Sequence, residues 1–413
     1  MLSKRGSQLP GRELFVADAG LFALGRFAAG LPFAVCLLLF VCFLLFAFCC
    51  LLGIWFLLFG FCRYRVRMER LALPLFMQPL MVERVWGGNQ LGKLFGKHLP
   101  PGKVIGESWE LSDRVNAQTL VSGGPLDGAT LGQVREQAPR ALLGAQLAAR
   151  KPKSFPLLAK FIDAGQDLSV QVHPDDAGCQ RLGLPDRGKT ECWVVLHATP
   201  GARIQRGLKA GVSRAGFEQA LRDGKIEAVL HFFEVRAGDC IAIPPGTLHA
   251  IGAGIVLAEI QQNSDVTFRV YDYNRPGLDG KPRPLHLKEA LETFCFERLA
   301  EGYFQGDMRP DTVAGARVNL GPRCRMTTLL KGRYFDLRRV ELQSGAQVLP
   351  EREADTPALL MFLSGRGRLG GRAVQAGQTV LLPADLPRDT RALLATEGEA
   401  PLVWLESVPT PEA

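Results

Sequence analysis

Four side chains in this sequence have the types and spacing of a metal site. Gln171-Val172-His173 reads as the end of a strand stopped by Pro174, so Gln171 and His173 point to one face. Glu191 opens the next apolar strand, after Gly188-Lys189-Thr190. His249 closes the run Gly238-x5-Pro244-x-Gly246-x2-His249, which describes a strand, a tight Pro/Gly turn and a return strand that aims an imidazole inward. Two imidazoles and a carboxylate on adjacent strands, with an amide oxygen nearby, make a metal centre with open coordination positions. The other histidines, His98, His197, His231 and His286, fall in loops, at strand ends or at a helix start and read as structural.

Three cations accompany this set. Lys160 interrupts an otherwise apolar strand, Lys189 precedes Glu191 by two residues, and Arg269 shares one face of an alternating strand with Thr267 and Tyr271. A cation in an apolar strand is costly unless paired. Either Asp163, Asp265 or Glu259 neutralises them, or they converge on an anionic substrate, lysine as a point charge and arginine as a two-pronged fork. The spacing favours the anionic substrate and does not separate phosphate from carboxylate.

The elements that must hold these residues are short strands. They are expected at 108–111, 157–162, 168–172, 191–196, 203–205, 240–243, 255–261 and 268–273, each apolar and bounded by Gly, Pro or Asp. Helices are expected at 131–136, 140–149, 214–223, 226–230 and 287–292, with Ser213 capping and Gly224 stopping the third. The fold class is mainly β with a helical insert, a sandwich or jelly-roll barrel. A weak repeat doubles it: residues 234–245 and 373–384 share the spacing Gly238 to Pro244 and Gly377 to Pro383. Two related barrels follow, the second beginning near Tyr334. It carries Arg388 near the place of His249, so the first barrel is expected to bind metal and the second to be structural. The chain divides into an extension (1–67), a metal-binding barrel with helical insert (68–325) and a degenerate barrel (326–413).

The 413 residues are 47% hydrophobic and 22% charged, too apolar for a disordered chain and too long for a small disulfide scaffold. Most of the net charge of +8 belongs to residues 1–67, at +5; the remainder carries +3, which excludes a nucleic-acid-binding surface on the main body. Cys179, Cys192, Cys240, Cys295 and Cys324 lack Cys-x-x-Cys spacing and read as reduced thiols of a cytoplasmic protein. Residues 27–62 contain no charge, and 33–61 is long enough to cross a bilayer as a helix. Arg63, Arg65 and Arg67 follow it, which would keep the main body on the cytoplasmic side. Two readings stand: a membrane anchor, or a start codon assigned upstream of the true one at Met68, Met77 or Met81.

Taken together, Val85-Trp86-Gly87-Gly88, Gly106-Glu107-Ser108-Trp109-Glu110, Leu168 to Pro174, Gly188 to Trp193 and Pro244 to Ala250 resemble the type I mannose-6-phosphate isomerases in their shorter bacterial form. The likeness runs from about Met68 to the C-terminus. It implies two cupin barrels, and one zinc ion per chain on Gln171, His173, Glu191 and His249. It implies interconversion of mannose 6-phosphate and fructose 6-phosphate through an enediol. Arg269, Lys189 and Glu259 are then catalytic, the last two being alternative proton-transfer groups, and Lys160, Asp265 and Trp86 meet the substrate. The apolar N-terminus and the short, divergent C-terminal barrel depart from the family pattern. Two other functions fit the same residues. One is a non-haem Fe(II) oxygenase on the same barrel, against which stand Gln171 and the cationic pocket. The other is a sugar-phosphate-binding protein without turnover. Oligomeric state is not legible.

Overall fold

The computed structural model describes residues 71–296, 317–321, 323–348, 355–387, 390, 394–397 and 400–413. The apolar run 33–61 and Arg388 lie outside them. Among the described residues no helix is long and apolar enough to cross a membrane.

Short apolar strands build the first barrel. Leu80–Gly88, Ile105–Leu111, Leu157–Ala164, Ile255–Gln262, Glu191–Ala198 and Cys240–Ile243 form a six-stranded antiparallel sheet in that order. Phe268–Tyr271, Val170–Val172, His249–Ile251, Arg203–Leu208 and Leu230–Glu234 form a five-stranded one. Ile162, Trp193, Val195 and Leu257 of the first sheet meet Ile204 and Ile251 of the second in one buried cluster, which closes the sandwich.

The outer face of the six-stranded sheet is buried too. Phe161, Val194 and Ile260 pack there with Leu131, Val134 and Leu142 of the helical insert and with Leu359, Met361 and Leu405 of the C-terminal strands. Burial on both faces is why Leu157–Ala164 and Ile255–Gln262 read as near-continuous apolar runs rather than as alternation. Helices Arg214–Arg222 and Leu287–Thr293 cover the outer face of the five-stranded sheet through Phe217 and Ala290.

Several expectations change. The helix expected over 140–149 is two, Pro139–Leu143 and Ala145–Ala149, because Gly144 turns to φ 81° between them. The helix expected at 226–230 is one 3-10 turn, Ile226–Ala228; Leu230 instead begins a strand laddered to Leu208. The strand expected to reach 273 stops at Tyr271, since Tyr273 and Asn274 take φ 55° and 51°. Residue 325 falls inside the strand Cys324–Lys331, which ladders with Arg317–Gly321 on one side and Phe335–Leu342 on the other. The repeat has a structural counterpart. Gly238 and Gly377, at φ 97° and 82°, precede Cys240–Ile243 and Thr379–Leu382, and each strand ends at a proline.

The C-terminal strands meet the first barrel through a buried ion pair. Lys97 Nζ lies 2.6 Å from Glu110 Oε1, with the side chains 5% and 1% exposed. Ser108 and Thr379 hydroxyls donate to the same carboxylate at 2.5 and 2.9 Å, and Lys97 donates to the Gly377 carbonyl at 2.8 Å. Removing one partner of a buried pair strands the other charge. Glu110→Gln is therefore expected to cost about 3–5 kcal/mol. A denaturant titration measures this as a lower midpoint; an unchanged midpoint contradicts it.

Candidate metal centre and substrate cavity

Strand pairing brings the predicted ligands together. Gln171 sits in register with His249 on one neighbouring strand and with Arg269 on the other. His173 follows at the end of its strand, and Glu191 begins the strand that faces it across the barrel. The ligand atoms of His173, Glu191 and His249 lie within 4.8 Å of one another, and all three residues are buried. His173 Nε2 is 3.4 Å from Glu191 Oε1, and His249 Nε2 is 3.7 Å from Oε2. The Gln171 amide lies 3.4 Å from both Nε2 atoms, and a half-turn of the amide puts its oxygen there.

Each imidazole gives its other nitrogen to the backbone. His173 Nδ1 donates to the Val266 carbonyl at 2.7 Å and His249 Nδ1 to the Thr247 carbonyl at 2.8 Å. That leaves both Nε2 lone pairs aimed inward. Burial drives both imidazole pKa values below the ordinary range, that of His173 well below, so the rings are neutral and able to ligate. Burial pushes the Glu191 carboxyl up, but the Lys189 ammonium, with its Nζ 2.9 Å from Oε1, holds it below the usual carboxylate range. Neither Glu191 oxygen accepts an aligned hydrogen bond. Beside the Lys189 ammonium, these buried acceptors face one another, which is costly. A divalent cation between them would satisfy all of them, and the mixed nitrogen and oxygen donors suit it.

A cavity of about 560 Å³ opens above this cluster. The sequence-predicted Trp86, Lys160, Lys189, Glu259, Asp265 and Arg269 all line it, with Gln171 and His249. Of the three carboxylates considered for Lys160, the structure selects Glu259, 2.9 Å from Nζ. Burial would lower the Lys160 pKa, but Glu259 and Glu107 raise it above its ordinary value, so Lys160 is a fixed cation at neutral pH. Arg269 has no carboxylate within 4.0 Å among the described residues; its Nη1 donates to the Pro284 carbonyl at 2.9 Å and its Nε to Ser169 Oγ at 3.3 Å. The expected face shared by Thr267, Arg269 and Tyr271 is broken by a register shift after Arg269. Thr267 and Arg269 line the cavity, whereas the Tyr271 hydroxyl turns to Glu227 at 3.2 Å. His98, His197, His231 and His286 take no part in the cluster.

The family profile described as phosphomannose isomerase type I, catalytic domain, matches residues 75–192. A mannose-6-phosphate isomerase of Bacillus subtilis is 36% identical over 318 residues, 76% of this chain and 94% of the relative. The chain belongs to the type I phosphomannose isomerase family. A second relative, the mannose-6-phosphate isomerase of Streptococcus mutans, is 34% identical over 76% of this chain and 93% of its own length. The crystal structure of a Bacillus subtilis mannose 6-phosphate isomerase superposes with a TM-score of 0.69 at 27% identity, covering 81% of this chain and 99% of that one.

In this member of the phosphomannose isomerase family, sequence reasoning missed three cavity-lining residues, Arg84, Glu107 and Trp193, and the buried Trp109 beside them. Trp193 donates its indole N–H to Glu259 Oε1 at 2.9 Å, and Trp109 donates its own to Glu107 Oε2 at 2.9 Å. Arg84 Nη2 meets Glu107 at 2.8 Å. Trp193 reads as core in an apolar strand, and nothing local marks its polar edge. Glu107 and Trp109 lie two apart on one strand face, a period-2 signal that was available.

Proposed function

We propose that this chain is a zinc-dependent aldose–ketose isomerase that interconverts mannose 6-phosphate and fructose 6-phosphate through an enediol. What carries the reading is the convergence of His173 Nε2, His249 Nε2 and the Glu191 carboxylate beside a cavity that His249 and Gln171 line together with lysine and arginine. The named relatives support the choice of sugar phosphate. Gln171, His173, Glu191 and His249 would hold the metal. Bound zinc supplies Lewis-acid polarisation of the sugar oxygens next to the reacting carbons.

The remaining steps belong to the chain. Glu259 faces the cavity with Oε1 fixed by Trp193, and its Oε2 lacks an aligned hydrogen-bond donor although Lys160 lies 2.9 Å away. It takes the C2 proton of the aldose and returns it to C1, while the O2 hydroxyl proton passes to O1 as the enediol forms and collapses to the ketose. Lys189 is drawn onto Glu191 and orients that carboxylate rather than the sugar. The permanent charge of Lys160 steadies the enediol oxygens. Arg269, free of any carboxylate pair, forks onto the phosphate, and binding energy at that remote end fixes the reacting carbons. Trp86 and Asp265 contribute wall and rim.

A coupled assay tests the reading: fructose 6-phosphate formed from mannose 6-phosphate is passed to enzymes that reduce NADP. The zinc-loaded chain is expected to give a steady rate above the coupling-enzyme blank. Binding of mannose 6-phosphate without turnover contradicts the reading.

A further inference from the structure

The cations around the cavity differ in what they are committed to. Lys160 and Lys189, deep and buried, are taken by Glu259 and Glu191. Arg283 is held by Asp272 through Nε at 2.7 Å and Nη2 at 2.5 Å. Arg269 has no such pair among the described residues, and Arg84 pairs with Glu107 while a third of its side chain stays exposed; each is carried by an edge strand, one from either sheet of the barrel.

Arg84 is built into place. Its stem lies on Gly106, where a Cβ would come within 2.6 Å of Arg84 Cβ and of the Trp86 ring. Its Nη2 sits 2.8 Å from the buried Glu107, which also accepts from the Trp109 indole and neighbours Lys160. A carboxylate buried behind a guanidinium fixes its direction, and here a third of the Arg84 side chain is still exposed toward the cavity it lines. Burial and then Arg283, Arg275 and, least, Arg84 pull the Arg269 pKa below its ordinary value, against Asp272. Two guanidiniums that line one cavity with Gln171 and His249 suit a dianion at one end of the substrate.

We propose that Arg84 is a phosphate-recognition residue, acting with Arg269 on the phosphomonoester, and that Glu107 is its positioning residue. This rests on the sugar-phosphate reading above. Arg84→Gln is expected to lower kcat/KM for mannose 6-phosphate about 10- to 100-fold, the worth of a charge-assisted hydrogen bond. The loss falls mainly on KM, because Arg269 still orients the substrate. Inhibition by inorganic phosphate should weaken by a similar factor, and Arg84→Lys should recover part of both. Glu107→Gln should move KM and phosphate inhibition in the same direction, with metal content retained. Unchanged KM and unchanged phosphate inhibition in Arg84→Gln overturn the proposal, as does a loss confined to kcat. Should the wild-type chain fail to isomerise mannose 6-phosphate, the functional reading fails by itself. Calorimetric titration with inorganic phosphate then still decides Arg84: weaker binding to the variant supports the assignment and equal binding overturns it.

Discussion

His249→Ala is expected to lose both metal and turnover. His249 offers one of two imidazole nitrogens, and its strand also positions Gln171 through their shared register. What remains, one imidazole, a carboxylate and an amide oxygen, is a weak set for zinc. Losing Lewis-acid stabilisation worth several kcal/mol means a fall in kcat of about 1000-fold or more. His231→Phe is the matched control. His231 bonds the Arg206 carbonyl at 3.3 Å and stacks on Phe233, away from the cluster, so metal should stay near one ion per chain. Metal analysis and the coupled assay on both variants check this. Zinc and activity retained in His249→Ala would remove it from the site.

Arg269→Lys is expected to be nearly as damaging while leaving the metal in place. Lysine keeps the charge but not the fork, and it cannot hold both the Pro284 carbonyl and Ser169 while facing an anion. The substrate end would be loosely held, and binding energy spent on orienting the reacting carbons would be lost from kcat as well as from KM. A fall in kcat/KM of about 100-fold or more, with one metal per chain, is the expected result. An unchanged kcat would take Arg269 out of the chemistry.

The cluster of His173, Glu191 and His249 was legible because its signals are local. Gln171 and His173 share a strand face by period, and the Pro/Gly turn before His249 predicts a return strand. Lys160 stood out because a cation in an apolar strand needs a partner, and Glu259 pairs with it directly across the ladder. Less legible was whatever depends on pairing between distant strands. Leu80–Gly88 was not foreseen, since two register shifts break its alternation, and with it went Arg84 and its link to Glu107. The helix expected over 140–149 failed at Gly144, where a Cβ would strike the Asp355 carbonyl from the C-terminal part of the chain, a contact no local pattern encodes. The helix expected at 226–230 lost to a ladder with Arg203–Leu208, tertiary pairing overriding local propensity.

In the proposed function this chain isomerises a sugar phosphate with a metal held by Gln171, His173, Glu191 and His249. Metal content and mannose-6-phosphate turnover measured on the same samples, as zinc is stripped by a chelator and then restored, test it most directly. Turnover should fall in proportion to zinc, vanish in the stripped chain and return as zinc approaches one ion per chain. Full turnover in a stripped chain that holds no metal would contradict it.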